Sequence, residues 1–447
     1  MKKTFMMMFL LVLFGSRAAG QRPTTAAVNA SDSGGELLNE PYRVYIQAGE
    51  PLLNPHSTPA PANLSRRAPT ADIQVTYVGN WPAEAQNAFE YATTIWETII
   101  QSPVPITIEA EFGALPENVL GGAGPNGFRR DFTGATIVDT WYPTAIVNAL
   151  SGFDRDPSAS DIGAIFSSEI SWYYGIDANP PGNQFDFVSV VLHEIGHGLG
   201  FTGSMRVTNG VGTWGLSSGG RTSPVIYDRF TLNGSGQVLL TNFPNNTTAL
   251  GDQLTSNNLF FAGPNATAAN GNQWVELFAP STWIQGSSYS HLGESFNDTA
   301  DSLMTFSVSP GVAEHMAGPV ILGMFVDMGW QVIEPAPQEP TFSLPGLLLI
   351  EVNQSKDNVL DLWDYAADAQ SADSALTFQI IGQTDPNSGV TIDSNRYIDV
   401  NPAADWLGTS TITIRVTDAD NNTADSSFVV ESITDVLETH LPLINSN

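Results

Sequence analysis

The chain has 447 residues, 42% of them hydrophobic and 14% charged, with 46 Asp and Glu against 16 Lys and Arg, a formal charge of −30. That surplus of acid makes nucleic acid and anionic membrane surfaces poor partners. With no cysteine, a disulfide framework, a thiol nucleophile and a thiolate metal ligand are all excluded.

The first twenty residues carry Lys2 and Lys3, an apolar run from Phe5 to Phe14, and then Ala18, Ala19 and Gly20. This is the pattern of a secretory signal peptide (1–20). The run is too short to span a bilayer, so no membrane insertion is expected and the mature protein should be secreted. Loss of Lys2, Lys3 and Arg17 with it would take the formal charge from −30 to −33. Residues 21–71 are rich in Pro, Ala, Ser, Thr and Asn and show no sustained period, which reads as a linker or pro-segment. The pair Arg66-Arg67 is either a processing site or a solvated basic pair.

From Ile73 the pattern changes. Ile73, Val75 and Tyr77 alternate with polar neighbours as in a half-buried strand. Pro82 then opens a helix whose apolar positions Ala88, Phe89, Ala92, Ile95, Trp96 and Ile99 have helical spacing. A second strand follows, with Ile106, Ile108, Ala110 and Phe112 on one face. Strand, helix and strand form a βαβ unit, so the two strands should be parallel. The glycine-rich stretch Val119 to Phe128 reads as a loop. Ala135 to Asp139 and Asp161 to Phe166 read as short strands, with a helix near Thr144 to Leu150 between them.

Val188 to Phe201, VSVVLHEIGHGLGF, contains the H-E-x-x-H pattern. Residues four apart share one helix face, so His193 and His197 can aim two imidazole nitrogens at one metal ion. Zinc suits such ligands, keeps an open position when three protein groups bind, and lowers the pKa of a water there to about 7. Glu194, one residue round the helix, is placed to act as general base. Two satisfied core histidines are the alternative, which the scarcity of histidine, six in the chain, disfavours.

Residues 204–288 read as a β-rich, loop-rich insertion without a strong helix. The histidines downstream are His291, His315 and His440. Val320, Ile321, Met324, Phe325 and Met328 predict a helix over 319–330. Prolines mark a linker at 335–341. Alternating segments at Leu376 to Ile380, Val390 to Ile392, Thr411 to Val416 and Phe428 to Val430 predict a β-sandwich over 342–434. Residues 435–447 read as a tail.

HEIGHGLGF resembles the metzincin zinc-protease signature, which ends in a third His three residues after its last glycine. That position here is Gly203. The leishmanolysin-like branch replaces the short spacing by a long insertion, and this chain is similar to it in Ser290-His291-Leu292, Leu303-Met304 and Asp327-Met328-Gly329-Trp330. The resemblance covers roughly Ile73 to Trp330. It implies an α/β (α+β) metzincin-type zinc protease domain over 72–334, followed by the all-β sandwich. It further implies catalytic Glu194, metal ligands His193, His197 and His291, and Met304 in a turn beneath the metal. His291 lies 94 positions after His197, and His315 or Asp228 stays open as the third ligand. Where some metzincins carry a Tyr just after that turn, this chain has Thr305 and Phe306. The strand preceding the active-site helix would lie at the sheet edge, so Gly163 to Ser168 would pair with an extended substrate.

The carboxy-terminal phrases LDLWDYAADAQSADSALTFQI and TITIRVTDADNNTADSSFVV resemble bacterial cadherin-like or Ig-like repeats. Such modules act as spacers or attach a protein to a surface or polymer and seldom catalyse, and that is the role expected of this one. Asp418, Asp420 and Asn422 offer oxygens to calcium, although solvated turn acids are the commoner explanation. Together these features describe a secreted zinc metalloendopeptidase acting on protein or peptide substrates. The opposing hypotheses are a secreted adhesin or binding protein with an inactive protease domain, and a zinc hydrolase acting on a non-peptide bond.

Overall fold

A computed structural model describes residues 35–39, 41–52, 55–60, 64, 68–333, 339–368, 373–419 and 421–434. The expected signal peptide, Arg66-Arg67, most of the 335–341 linker, Asp420 and the tail lie outside the described residues. The described chain is β-rich with few helices, and its buried apolar residues form two separate cores, one between Ile46 and Trp330 and one between Leu344 and Val430.

The first core is built on a six-stranded mixed sheet. Its strands are β1 (Val44–Ala48), β2 (Ile73–Gly79), β3 (Ile106–Gly113), β4 (Val119–Pro125), β5 (Ile162–Ser167) and β6 (Ser307–Val308), in the order β6-β1-β4-β5-β3-β2. As the alternation predicts, β2 and β3 are parallel, with Ile73 opposite Ile106, and helix α1 (Ala83–Glu97) crosses between them. Ala85, Ala88, Phe89, Ala92, Ile95 and Trp96 fill the buried face of α1. The helix expected near Thr144 is α2 (Thr144–Ser151).

Four expectations are corrected. Val119–Pro125 is a strand, antiparallel to β5. Gly163 to Ser168 consequently lies inside the sheet, between β3 and β4, and has no edge to offer a substrate. Residues 21–71 are more than a linker: Val44–Ala48 enters the central sheet antiparallel to β4, and short strands form at Glu36–Leu38 and Ser57–Thr58. Ala135 to Asp139 is a succession of bends; its backbone is diverted by Asp131, whose carboxylate accepts from the Asp139 N–H at 2.7 Å.

Helix α3 (Phe187–Gly198) is buried along its whole length. Asp186 caps it, accepting from the Ser189 N–H at 2.8 Å and the Ser189 hydroxyl at 2.7 Å. The Trp96 indole of α1 donates to the Leu192 carbonyl at 3.0 Å. Helix α4 (Pro319–Met328), whose Phe325 ring meets Trp96 of α1 at 5.3 Å, begins with proline in its first turn and ends at Gly329, φ +116°. Trp330 just beyond it donates its indole N–H to the Leu199 carbonyl at 2.8 Å. The interval 204–288, expected to be β-rich and loop-rich, holds short hairpins together with three short helices at Leu239–Asn242, Thr248–Leu254 and Pro264–Ala269.

The second core is a sandwich of two sheets. Leu347–Glu351 (β7), Lys356–Asp361 (β8), Thr377–Gln383 (β9), Val390–Asp393 (β10), Tyr397–Val400 (β11), Thr409–Thr417 (β12) and Thr423–Ile433 (β13) divide into β7-β13-β12-β9 and β8-β11-β10. Ser410, Ile412, Ile414 and Val416 of β12 face inward at alternate positions, as a two-residue period requires. Asp418 accepts from the Asn422 backbone N–H at 2.8 Å and its side-chain amide at 2.9 Å, which closes the β12–β13 turn.

Candidate metal centre

Three histidines from two distant stretches meet beneath the sheet. The Nε2 of His193 stands 2.9 Å from that of His197 and 3.2 Å from that of His291, and the last two are 3.2 Å apart. Among the described residues these three form the one group of His, Cys, Asp or Glu side chains arranged to hold a metal ion. His315, the other choice, is elsewhere: its Nε2 pairs with the capping Asp186 at 2.7 Å, with both side chains fully buried. Asp228 is also committed, accepting from the Ser204 N–H and Val225 N–H at 2.9 Å and from the Tyr289 hydroxyl at 3.0 Å.

The orientation of the rings is set from behind. Each Nδ1 lies 2.6 Å from a backbone carbonyl: His193 from Leu303, His197 from Phe201, His291 from Ser287. A carbonyl can only accept, so all three Nδ1 atoms carry the proton. All three Nε2 lone pairs therefore converge with no hydrogen between them. Three acceptors within 3.2 Å repel one another unless a cation sits among them. Nitrogens bound to a single tetrahedral zinc at about 2.0–2.1 Å would be about 3.3–3.4 Å apart, close to the separations found. Burial also keeps the imidazoles neutral, as ligands must be: His193 is lowered to about 4, and His197 and His291 are pushed well below the ordinary range by burial and then by the neighbouring rings.

The chain folds to this geometry for identifiable reasons. Ser302–Met304 is a 3₁₀ turn that brings the Leu303 carbonyl under His193 and Met304 under the helix. A Cβ on Gly196 would stand 2.8 Å from the Met304 sulfur, so glycine at this point lets the turn close against α3. Gly203, where the short-spaced signature would carry its third His, has no room for a side chain. A Cβ there would lie 2.1 Å from the Tyr289 ring and 2.9 Å from Asp228. Tyr289 is on the strand of chain that delivers His291, so the space of one residue is taken by the route of the other.

Glu194 is buried beside the cluster. Its Oε1 accepts from the Ile46 N–H at 3.3 Å, and its Oε2 has no hydrogen-bond partner. Burial raises its pKa well above the ordinary carboxylate value, opposed by the Ile46 and Ala123 N–H groups and by the Arg43 guanidinium. A cavity of about 140 Å³ opens between Ile46, Ser189, Leu303, Thr305, Val308 and Glu314, and neither Glu194 nor the three histidines line it. The Thr305 hydroxyl is engaged with the Ser302 carbonyl at 2.8 Å, and the Phe306 ring stacks on Phe278 at 4.0 Å. Sequence reasoning missed Ile46 and Arg43 because they lie in a stretch whose composition reads as a linker.

Two family descriptions match parts of the chain. Residues 134–211, which include α3, match a family described as SPBPB7E8-like, and residues 348–431 match the bacterial Ig domain. The latter agrees with the sandwich found there. No curated protein matches. Among solved structures the chain is similar to the protocadherin gamma B4 extracellular domain (20% identity, 21% of this chain and 16% of that one, TM-score 0.18) and to human CDH23 EC21-23 (16%, 21% and 33%, 0.19). It is also similar to an endo-fucoidan hydrolase of glycoside hydrolase family 107 (18%, 21% and 13%, 0.17). The chain spans at most a third of the length of these three structures. No helix among the described residues is long and apolar enough to cross a membrane.

Proposed function

We propose that the chain is a secreted zinc-dependent metalloendopeptidase of leishmanolysin-like metzincin type. The observation that carries this reading is the convergence of three unprotonated Nε2 atoms at His193, His197 and His291, each ring fixed by a carbonyl behind it. A zinc ion bound there supplies Lewis acidity and a fourth, open position for water. Glu194 supplies the proton chemistry: its unpartnered Oε2 takes the proton of a water entering the site and returns it to the leaving amine nitrogen. Met304 packs beneath α3 at Gly196, next to the Leu303 carbonyl that fixes His193, and His315 with Asp186 holds the start of α3 in place. The carboxy-terminal sandwich attaches the enzyme to a surface or polymer.

A second reading is a secreted adhesin or binding protein whose metal centre is structural. It is favoured by the burial of all four site residues, each at 0% exposure. Against it stands the buried carboxyl of Glu194, since a structural zinc site has no use for a general base. The test is hydrolysis of an unstructured protein by the chain and by Glu194→Gln, each analysed for zinc and each assayed also with Ile46→Asp present. One zinc in all samples, with cleavage confined to those that keep Glu194, supports the peptidase. One zinc throughout and cleavage in none moves the assignment to the binding protein.

A further inference from the structure

The chain's own amino-terminal segment lies against the metal-centre helix. Strand β1 runs beside the site, antiparallel to β4 on one side and parallel to β6 on the other. Its backbone is bonded to both banks. Tyr45 N–H donates to the Gly286 carbonyl at 2.9 Å, Gln47 N–H to Phe306 at 3.1 Å, Ala48 N–H to Asn118 at 2.8 Å and Gly49 N–H to Val308 at 2.7 Å. In the middle of this run the Ile46 N–H points at Glu194 Oε1. The peptide bond between Tyr45 and Ile46 thus presents its nitrogen to the carboxyl that, on the peptidase reading, would protonate a leaving amine.

We propose that Val44–Gly49 is an intramolecular inhibitor, filling a cleft whose proper occupant is an extended peptide substrate. The contacts it makes are main-chain bonds, which an unrelated sequence would reproduce, as in strand addition generally. Arg43 at its start donates to the Gly163 carbonyl, and His56 beyond its end pairs with Glu314 and Asp298, so the strand is pinned at both ends by side chains that a substrate lacks. The proposal rests on the peptidase reading for the identity of the displaced substrate, and on the covering strand itself for inhibition.

Two measurements test it. In the wild-type chain, amide hydrogen exchange across 45–49 should be at least about 100-fold faster than across β5, because a removable strand opens without global unfolding. Equal protection would make β1 a permanent part of the core and overturn the proposal. This measurement needs no variant. Second, Ile46→Asp puts a carboxylate beside Glu194 and should expel the strand. With cobalt(II) loaded, the visible spectrum of this variant should respond to acetohydroxamic acid at a concentration at least about tenfold lower than for wild type. An equal response overturns the proposal whether or not the protein cleaves anything. A variant that admits the hydroxamate yet cleaves no peptide upholds the inhibitory strand and removes the peptidase reading.

Discussion

Replacing His291 by alanine separates the metal centre from its competitor at His315. The Nε2 of His291 is one of three that meet within 3.2 Å, whereas that of His315 is 2.7 Å from Asp186. Four-ligand zinc sites bind with about 10–16 kcal/mol of apparent free energy, or roughly 2.5–4 kcal/mol per protein ligand. His291→Ala should therefore weaken zinc about 10²–10³-fold, on the scale of 1.4 kcal/mol for each factor of ten. Linkage gives a second readout. At free zinc 1,000 times the wild-type Kd, binding stabilises the folded chain by about 4 kcal/mol, and a 10³-fold weaker variant keeps only about 0.4. His315→Gln removes a hydrogen-bonding partner of Asp186 but no Nε2 from the cluster, so it should keep its zinc. The assay is competition for zinc against a chelator of known affinity, with the stability of each protein measured with and without zinc. Wild-type affinity in His291→Ala, or loss of zinc in His315→Gln alone, would refute the assignment.

Other outcomes follow from particular contacts. Gly203→His would restore the short-spaced signature, yet its Cβ would stand 2.1 Å from the Tyr289 ring; the variant should lose about 1–3 kcal/mol of stability and gain no zinc affinity in the same competition assay. His56 has a raised pKa, caused first by its hydrogen bond to Glu314, opposed by burial, and aided by Asp298. A raised histidine pKa stabilises the fold fully below the unfolded value of about 6.5 and ceases to do so as pH rises through the folded value. An NMR titration of the His56 imidazole should therefore find it protonated above that pH, and Glu314→Gln should bring it down; titration at the unfolded value would contradict the pairing. Because the sandwich has its own core, residues 339–434 expressed alone should unfold cooperatively, and the chain lacking them should still bind one zinc by elemental analysis.

The sequence discloses elements where a local period carries the information. His193 and His197 are legible because four residues on a helix bring side chains to one face, and β2, α1 and β3 because their apolar spacing is regular. His291 is reached through resemblance and the scarcity of histidine, since its approach depends on a 94-residue excursion. Strand β4 is hidden by Gly121, Gly122 and Gly124, which ordinarily mark a loop. Here glycine admits a close neighbour: a Cβ on Gly124 would lie 1.7 Å from the Tyr42 carbonyl oxygen. The edge that the resemblance places at Gly163–Ser168 is covered by this strand. Strand β1 is hidden by its brevity, five residues in a stretch of linker-like composition, and by partners at Val119–Ala123 and Ser307–Val308 that are remote in sequence.

The most direct test of the metal centre is X-ray absorption at the zinc edge of the purified wild-type chain and of His291→Ala. Three imidazole nitrogens at about 2.0–2.1 Å in the wild type, falling to two in the variant, are the expected result. A wild-type chain that takes up no zinc, or a coordination shell unchanged by His291→Ala, would contradict the assignment of His193, His197 and His291.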